Sequence, residues 1–260
     1  MINAFYKKYQ KHFDVSENNF AHFVMWSCGG ICIGFVIGLV GIAFHLALEW
    51  ATEFRTAHPM LLWLLPFGGL AIVLAYRLAG QEKDRGTNFI LVAVRANEAV
   101  TLRTAPLIFF STVVTHLLGG SAGREGAALQ LGGSIASSFG RMFQLNEREG
   151  RIMTMCGMAA GFAALFGTPL TSVIFAMEVI TVGVMHYSAI VPCIISALVA
   201  AGLSQAVGIA PTTFSIAHIP AAVGLENCFR AAVLGVLCAI LSVLFCIVME
   251  HIGGLQGKGR

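Results

Sequence analysis

Two glutamates stand among apolar and small residues, where a carboxylate could take part in chemistry. Glu125 lies in the stretch Gly123-Arg124-Glu125-Gly126-Ala127, and Glu178 lies in Phe175-Ala176-Met177-Glu178-Val179. A carboxylate inside a membrane segment is energetically costly, so it is by default a candidate for ion or proton movement. Glu125 is therefore our first candidate for a titrating group. Glu178 comes late in a helical segment, where its charge opposes the helix dipole, so a structural partner or a role in proton movement would account for it.

Two glycine-containing segments could bind an anion. One is Gly86-Thr87-Asn88, and the other is Gly123-Arg124-Glu125-Gly126-Ala127. Backbone N–H groups at the start of a helix attract anions, and glycine lets an ion approach the backbone closely. If both segments begin helices that point toward the bilayer centre, they define an anion site. The alternatives are an ordinary turn with a helix cap at the first segment, and a surface carboxylate paired with Arg124 at the second.

The residue pattern gives no support for metal or hydrolase chemistry. The eight histidines and seven cysteines show no metal-ligand spacing, and the cysteines lie within or beside apolar segments, where a small buried hydrophobe is the expected role. The sequence has no His-Glu-x-x-His motif, which speaks against an intramembrane metalloprotease. We therefore predict that the chain is not an enzyme and that it holds no metal and no organic cofactor.

The composition places most of the chain away from water. Of the 260 residues, 57% are hydrophobic and 11% are charged, whereas an average soluble domain has about 25% charged residues. Apolar runs of about twenty residues predict spanning helices rather than the alternating ten-residue strands of a membrane barrel. The net charge of +3 is small and the basic residues form no patch, so we expect no nucleic-acid partner. We predict an all-α, multi-pass protein of the cell (inner) membrane, in contact with membrane lipids.

The apolar runs divide into about nine helical segments, several of which are too short or too polar to span a bilayer alone. An N-terminal segment with three lysines and a basic loop after the second span are both expected on the cytoplasmic side. Thr104 is predicted to cap a helix, Asn146 and Glu149 to form a capping box, and Pro169 to begin a helix. The predicted segments are 21–51, 60–78, 86–97, 106–118, 127–143, 146–166, 168–184, 186–207 and 229–252.

Two stretches of the sequence resemble signatures of the CLC family of chloride channels and anion/proton antiporters. Gly123-Arg124-Glu125-Gly126-Ala127 is similar to the family's G-(K/R)-E-G-P signature, and residues 161–170 followed by Phe175-Ala176-Met177-Glu178 are similar to its next motif. Gly86-Thr87-Asn88 lies where the family's G-S-G-I-P motif would fall. The resemblance covers nearly the whole chain, from about residue 21 to about residue 252.

The sequence departs from the family pattern at positions that bear on substrate and coupling. Thr87 and Asn88 replace serine and glycine, and Ala127 replaces the proline of the second signature. Val179 takes the place of the family's internal proton glutamate, and Glu178 stands one position before it. These departures disfavour conventional chloride/proton exchange. The combined pattern resembles the bacterial fluoride/proton antiporter branch of the family.

The resemblance implies a fold and a domain organisation. The fold is a CLC-type bundle of tilted and broken helices that forms the first half of an inverted repeat. In this scheme residues 1–20 are a cytoplasmic segment, residues 21–222 are the first repeat, and residues 223–260 are the first helix of a truncated second repeat. The family completes its anion site in the second half, so this chain alone is expected to transport poorly.

The resemblance also implies a mechanism. Each subunit of a homodimer would carry halide ions, fluoride or chloride, in exchange for protons, with Glu125 as the gate and Glu178 as a possible second carboxylate. The alternatives are a chloride channel and a non-transporting truncated membrane subunit. The residues expected to line the anion pathway are Gly86, Thr87, Asn88, Gly123, Arg124, Gly126 and Ala127.

Overall fold

In the computed structural model, the described part of the chain is built mainly from helices. The structure describes the backbone of residues 2–81, 101–180, 187–209 and 224–257, and within these ranges the side chains between residues 23 and 252. The described residues form no strand, in agreement with the all-α prediction. The α-helices are α1 (Ile2–Ala57), α2 (Leu65–Leu78), α3 (Thr104–Leu117), α4 (Arg124–Met142), α5 (Glu147–Phe166), α6 (Pro169–Ile180), α7 (Ile190–Ala206) and α8 (Leu225–Gly257), with 3₁₀ helices at Pro59–Leu64 and Tyr187–Ala189.

Shorter apolar helices lie between the second and third full-length apolar spans of the described residues. Crossing a bilayer takes about 20 apolar residues in a helix, and α3 and α6 are apolar but shorter than this. This pattern confirms the prediction of half-length helices between full spans. The stretches long and apolar enough to cross a membrane are Phe23–Ala57, Pro59–Leu78, Tyr187–Ala206 and Leu225–Ile252.

The chain divides into two compact units, Met1–Thr212 and Thr213–Arg260. Helices α1 to α7 belong to the first unit and α8 belongs to the second. Within α8, the Arg230 guanidinium contacts the Glu226 carboxylate one turn away, with Nη2 and Oε1 separated by 2.5 Å. The domain borders expected at residues 20 and 222 stay predictions.

Helix α5 is the centre of the first unit and packs against α1, α4, α6 and α7. Small residues allow this central position, because glycine and alanine let neighbouring helix backbones approach closely. A Cβ atom added to Gly161 would lie 2.7 Å from the carbonyl oxygen of Ala128 in α4, and Gly157 contacts Gly132 in the same way. Residue numbers rise along α5 as they fall along α4, so these two helices are antiparallel.

Helices α1 and α7 pack in parallel through a row of glycines at four-residue spacing. A Cβ atom added to Gly30 would lie 2.9 Å from the Pro192 carbonyl oxygen, and one added to Gly34 would lie 2.5 Å from the Ser196 carbonyl oxygen. Gly38 continues the row against α7. The backbones of the two helices are therefore in direct contact, with no room for a side chain between them.

Helix α5 is parallel to α7 and hence to α1. The Ser196 hydroxyl of α7 donates a hydrogen bond to the Cys156 carbonyl oxygen at 3.0 Å, and the Ser204 hydroxyl donates one to the Ala164 carbonyl oxygen at 2.7 Å. The N-terminal ends of α1, α5 and α7 therefore lie on one side of the membrane, together with the C-terminal end of α4. The lysines before the first span predict that this side is the cytoplasm.

The ends of α5 follow the sequence signals. The Asn146 side chain accepts a hydrogen bond from the Glu149 N–H at 3.0 Å, and the Glu149 carboxylate accepts one from the Asn146 N–H at 3.1 Å, which confirms the capping box. At the other end, Gly167 adopts the left-handed conformation with φ of 64°, which glycine allows at little cost. Pro169 then begins α6, as predicted.

The predicted cap at Thr104 is wrong. Thr104 lies inside α3, and its hydroxyl oxygen is buried without a hydrogen-bond partner among the described residues. The preceding turn explains the difference, because the N–H groups of Thr104 and Ala105 donate to the carbonyl oxygens of Thr101 and Leu102 at 3.1 Å. These backbone bonds already satisfy two of the donors that a capping side chain would serve.

Candidate anion and proton site at the start of α4

Helix α4 begins without a side-chain cap at the border of the buried core. Gly123 precedes the helix in an extended conformation with φ of −76° and ψ of 147°, and it has no side chain that could bond the first N–H groups. From Ala127 to Ala136 the helix is buried. The start of α4 therefore presents the backbone donors and the positive dipole end that can attract an anion.

The Glu125 carboxylate folds back over the start of its own helix. Glu125 is exposed, and its Oε2 atom lies 2.7 Å from the point that a Cβ atom on Gly123 would occupy. A side chain at position 123 would collide with this carboxylate. The absence of a Cβ at Gly123 thus leaves room for the negative charge next to the positive end of α4, where it is electrostatically favoured.

Arg124 does not form the ion pair with Glu125 that was one alternative from the sequence. Its guanidinium carbon instead lies 5.9 Å from the centre of the Phe166 ring, at the end of α5. A guanidinium at this distance over an aromatic face makes a favourable cation–π contact. The Glu125 carboxylate is therefore not neutralised by its neighbour, and it has no other ion pair with the described residues.

Arg124 also lines a polar cleft of about 580 Å³ between α1, α3 and α4. We call it the outer cleft, because it lies at the end of α1 opposite to the predicted cytoplasmic side. It was not among the sequence predictions, although the four-residue spacing of His45, Glu49 and Glu53 places a polar stripe on an apolar span. Its lining residues are His45, Leu48, Glu49, Thr52, Glu53, His116 and Arg124.

The two histidines of the outer cleft have different hydrogen-bond surroundings. His116 Nδ1 lies 2.8 Å from the Thr112 carbonyl oxygen, and since a carbonyl only accepts, this nitrogen carries the hydrogen. His45 Nε2 lies 3.9 Å from a Glu49 carboxylate oxygen, while its Nδ1 is buried without a partner among the described residues. Within the described part of the chain, these side chains do not form a group that could hold a metal ion.

Glu178 lies apart from this site. It is exposed on α6, and in the described ranges it makes no hydrogen bond or ion pair that would compensate its charge. It does not line the outer cleft. The structural partner that the sequence suggested is therefore absent from the part of the chain that the structure describes.

The other half of the predicted anion site lies outside the described residues. Gly86, Thr87 and Asn88 fall within 82–100, so the expectation that they approach the start of α4 stays a prediction. Gly126 is half-buried and Ala127 is 7% exposed, consistent with a helix start that passes from the surface into the core.

The connection between α3 and α4 also matches a hydrolase pattern, which the sequence analysis did not note. Residues 119–123 read Gly-x-Ser-x-Gly, a pattern that in α/β-hydrolases lies on a sharp turn from a strand to a helix. Here the segment joins two helices, and Ser121 is exposed, with no histidine or carboxylate bonded to it among the described residues. The arrangement therefore lacks the base that would activate the serine.

The family assignment follows from comparison with known proteins. A family model described as "Voltage gated chloride channel" matches residues 68–259, which include both segments that resemble the CLC signatures. This chain belongs to the CLC family. Together with the apolar spans, this membership makes it a multi-pass protein of the cell membrane.

Relatives and solved structures support the same assignment. A protein named "Chloride/fluoride channel protein" from Pseudomonas syringae pv. tomato is 36% identical over 222 residues, which cover 85% of this chain and 49% of that relative. A crystal structure of a CLC-type fluoride/proton antiporter matches with a TM-score of 0.71 and 34% identity, over 78% of this chain and 51% of that one.

A more distant structure shows the shared fold. A slow cyanobacterial Cl⁻/H⁺ antiporter matches with a TM-score of 0.62 at 20% identity, over 83% of this CLC chain and 54% of that chain. This CLC chain thus spans about half the length of the relatives that it matches. The three proteins described above are named as a channel protein and as two antiporters.

Proposed function

We propose that this chain is the first half of a proton-coupled halide antiporter in which Glu125 is the gate. The observation that carries the proposal is the exposed Glu125 carboxylate folded over the uncapped start of α4, with no ion pair to the described residues. A carboxylate in this position occupies the place that the helix start offers to any anion. The names of two relatives, a chloride/fluoride channel protein and a fluoride/proton antiporter, support halide as the anion.

The mechanism rests on competition between two negative groups for the same backbone donors. A deprotonated Glu125 sits at the start of α4 and excludes a halide ion from it. Protonation removes the charge, the side chain swings away, and a halide ion takes its place at the N–H groups near Gly123, Arg124, Gly126 and Ala127. Each exchange of carboxylate for halide is therefore linked to binding a proton.

The outer cleft supplies the route by which water and ions reach Glu125. Arg124 belongs both to the cleft lining and to the start of α4, so the cleft reaches the residue next to Glu125, although Glu125 itself does not line it. Its guanidinium offers an attractive charge to an incoming anion, while Glu49 and Glu53 offer an attractive charge to protons. A polar cleft of this kind suits a site that must receive both halide ions and protons.

We further propose that the transported ion is fluoride, that Gly86, Thr87 and Asn88 complete the anion site, and that the protein works as a homodimer. Thr87 and Asn88 carry a hydroxyl and an amide, which donate hydrogen bonds to a small, strongly hydrated anion. Glu178 is assigned no transport role. The fluoride assignment and the homodimer are both inferred from the resemblance to the CLC family and to its fluoride/proton antiporter branch.

The test uses a protein that contains both halves, reconstituted in liposomes and followed with fluoride, chloride and pH electrodes. Glu125→Gln keeps the shape of a protonated carboxyl but cannot titrate. We expect it to abolish proton movement coupled to halide, while halide movement becomes insensitive to pH. Glu178→Gln is the matched control, and it should leave coupling intact.

Different outcomes remove different parts of the proposal. Coupled proton flux that survives in Glu125→Gln rules out Glu125 as the gate. Halide flux without any proton movement in the unmodified protein would identify a channel. Chloride flux equal to or above fluoride flux would exclude the fluoride assignment while leaving the gate in place.

A further inference from the structure

A second polar cleft, of about 550 Å³, lies between the start of α5 and the start of α7. We call it the inner cleft, because α5 and α7 both begin on the predicted cytoplasmic side. It is separate from the outer cleft, with which it shares no residue. Its lining residues are Glu147, Arg148, Arg151, Ile152, Met155, Tyr187 and Ser188.

The inner cleft contains basic groups that have no ion-pair partner in the described part of the chain. Neither Arg148 nor Arg151 makes an ion pair with the described residues, and among these residues the buried Nε of Arg151 finds no hydrogen-bond acceptor. A buried donor left unpaired is costly, so a buried guanidinium nitrogen points to an acceptor that belongs there. With Glu147 as the one acidic lining residue, the formal charge of the cleft is +1.

The position and the lining fit a lipid headgroup. The cleft has basic and hydroxyl groups, from Arg148, Arg151, Tyr187 and Ser188, beside the apolar side chains of Ile152 and Met155. Tyrosine is enriched at membrane–water interfaces, and Tyr187 is 74% exposed at the start of an apolar span. The fork of an arginine matches the oxygens of a phosphate group.

We propose that the inner cleft binds the phosphate group of an anionic phospholipid from the cytoplasmic leaflet. Basic pockets between spanning helices on this side suit such headgroups, because the leaflet itself is rich in anionic lipid. Arg148 and Arg151 contact the phosphate, Tyr187 and Ser188 donate hydrogen bonds from their hydroxyls, and the acyl chains follow the apolar side. The site does not depend on whether the chain transports halide.

Native mass spectrometry of the 260-residue chain in mild detergent tests the proposal. The probes are phosphatidylglycerol, the zwitterionic phosphatidylcholine, and inorganic phosphate. We expect one phosphatidylglycerol molecule to be retained per chain, and Arg148→Gln with Arg151→Gln to lose it. Arg141→Gln is the matched control, since Arg141 lies on the same membrane side and its guanidinium bonds Ser137 and Ser138.

A second variant is expected to change lipid binding in the opposite direction. This test can be made even if the arginine variants do not fold. Glu147→Gln removes the negative charge from the cleft and should tighten phosphatidylglycerol binding about fivefold, the effect expected of one charge near an anionic lipid surface. The lipid site would be overturned if the chain retained phosphatidylcholine, or inorganic phosphate alone, as well as it retains phosphatidylglycerol. It would also be overturned if Glu147→Gln left phosphatidylglycerol binding unchanged. Unchanged binding in the folded double arginine variant would do the same.

Discussion

Arg124 and Glu125 are neighbours in sequence, but their side chains make different contacts. Arg124 lies over the Phe166 ring at 5.9 Å, whereas the Glu125 carboxylate lies over Gly123. An ion pair to Arg124 would oppose the movement of this exposed carboxylate away from the start of α4 by up to about 1 kcal/mol. In the proposed mechanism, Glu125 would therefore exchange places with a halide ion without first breaking an ion pair to Arg124.

The contact between Arg124 and Phe166 can be measured with a double-mutant cycle. Because Arg124 is half-buried, we expect Arg124→Gln and Phe166→Leu to couple by about 0.5–2 kcal/mol, the range of a cation–π contact. The measurement is the free energy of unfolding of the chain in detergent micelles. Additive effects of the two substitutions would show that the ring does not hold the guanidinium.

Gly123→Ala should separate transport from stability. The extended conformation of Gly123 is open to any residue, so the folded state should be as stable as before within about 1 kcal/mol. The new Cβ would collide with the Glu125 carboxylate oxygen. In a protein that contains both halves, we expect the Glu125 carboxylate to move from its present position. Proton coupling should then be lost, while the amount of folded protein should not change.

Gly150→Ala provides the control, because a Cβ atom added to Gly150 meets nothing within 4 Å. Flux and coupling should be unchanged in this variant. Normal coupling in Gly123→Ala would show that the carboxylate does not need its present position.

At the level of helices, the contact between α1 and α7 depends on the absence of side chains. Gly34→Ala would place a Cβ atom 2.5 Å from the Ser196 carbonyl oxygen, and overpacking of this kind costs about 1–3 kcal/mol. Gly202→Ala lies on α7 where a Cβ atom meets nothing within 4 Å. It should gain up to about 1 kcal/mol, because alanine favours a helix over glycine.

Thermal unfolding of the two glycine variants in the same detergent compares them directly. We expect the midpoint to fall for Gly34→Ala and to stay level or rise for Gly202→Ala. If the unfolding midpoint of Gly34→Ala fell little or not at all, the backbones of α1 and α7 would not be in contact.

Local signals predicted the helix ends well, and tertiary contacts account for what they missed. The Asn146–Glu149 box and the start at Pro169 depend on neighbouring residues alone, so the sequence contains all that is needed. The Thr104 cap failed because backbone bonds from a preceding turn replaced it. The outer cleft joins α1 to the consecutive helices α3 and α4, which are far from α1 in sequence. No local pattern predicts which of their polar faces come together.

For the whole first unit, the parallel arrangement of α1, α5 and α7 fixes the sides of the two clefts. Glu53 belongs to the outer cleft and Glu147 belongs to the inner cleft. Since the N-terminal lysines predict a cytoplasmic start of α1, Glu53 faces outward and Glu147 faces the cytoplasm.

Labelling with a membrane-impermeant thiol reagent tests this arrangement in intact cells. We expect Glu53→Cys to gain label above the wild-type background in intact cells, and Glu147→Cys to gain it only after the membrane is opened. Labelling of both variants in intact cells would contradict the parallel arrangement, and the reverse pattern would place the N-terminus outside.

The glycine row on α1 also sets an order of events during synthesis. The surface of α7 that covers Gly34 is made roughly 160 residues later, which at about 5–20 residues per second is a delay of about 10–30 s. During this time α1 is already in the bilayer, and its glycine face contacts lipid or the insertion machinery. The described helices of the first unit can pack fully only after α7 has entered the membrane, so contact between the first and last of them is a late step of assembly.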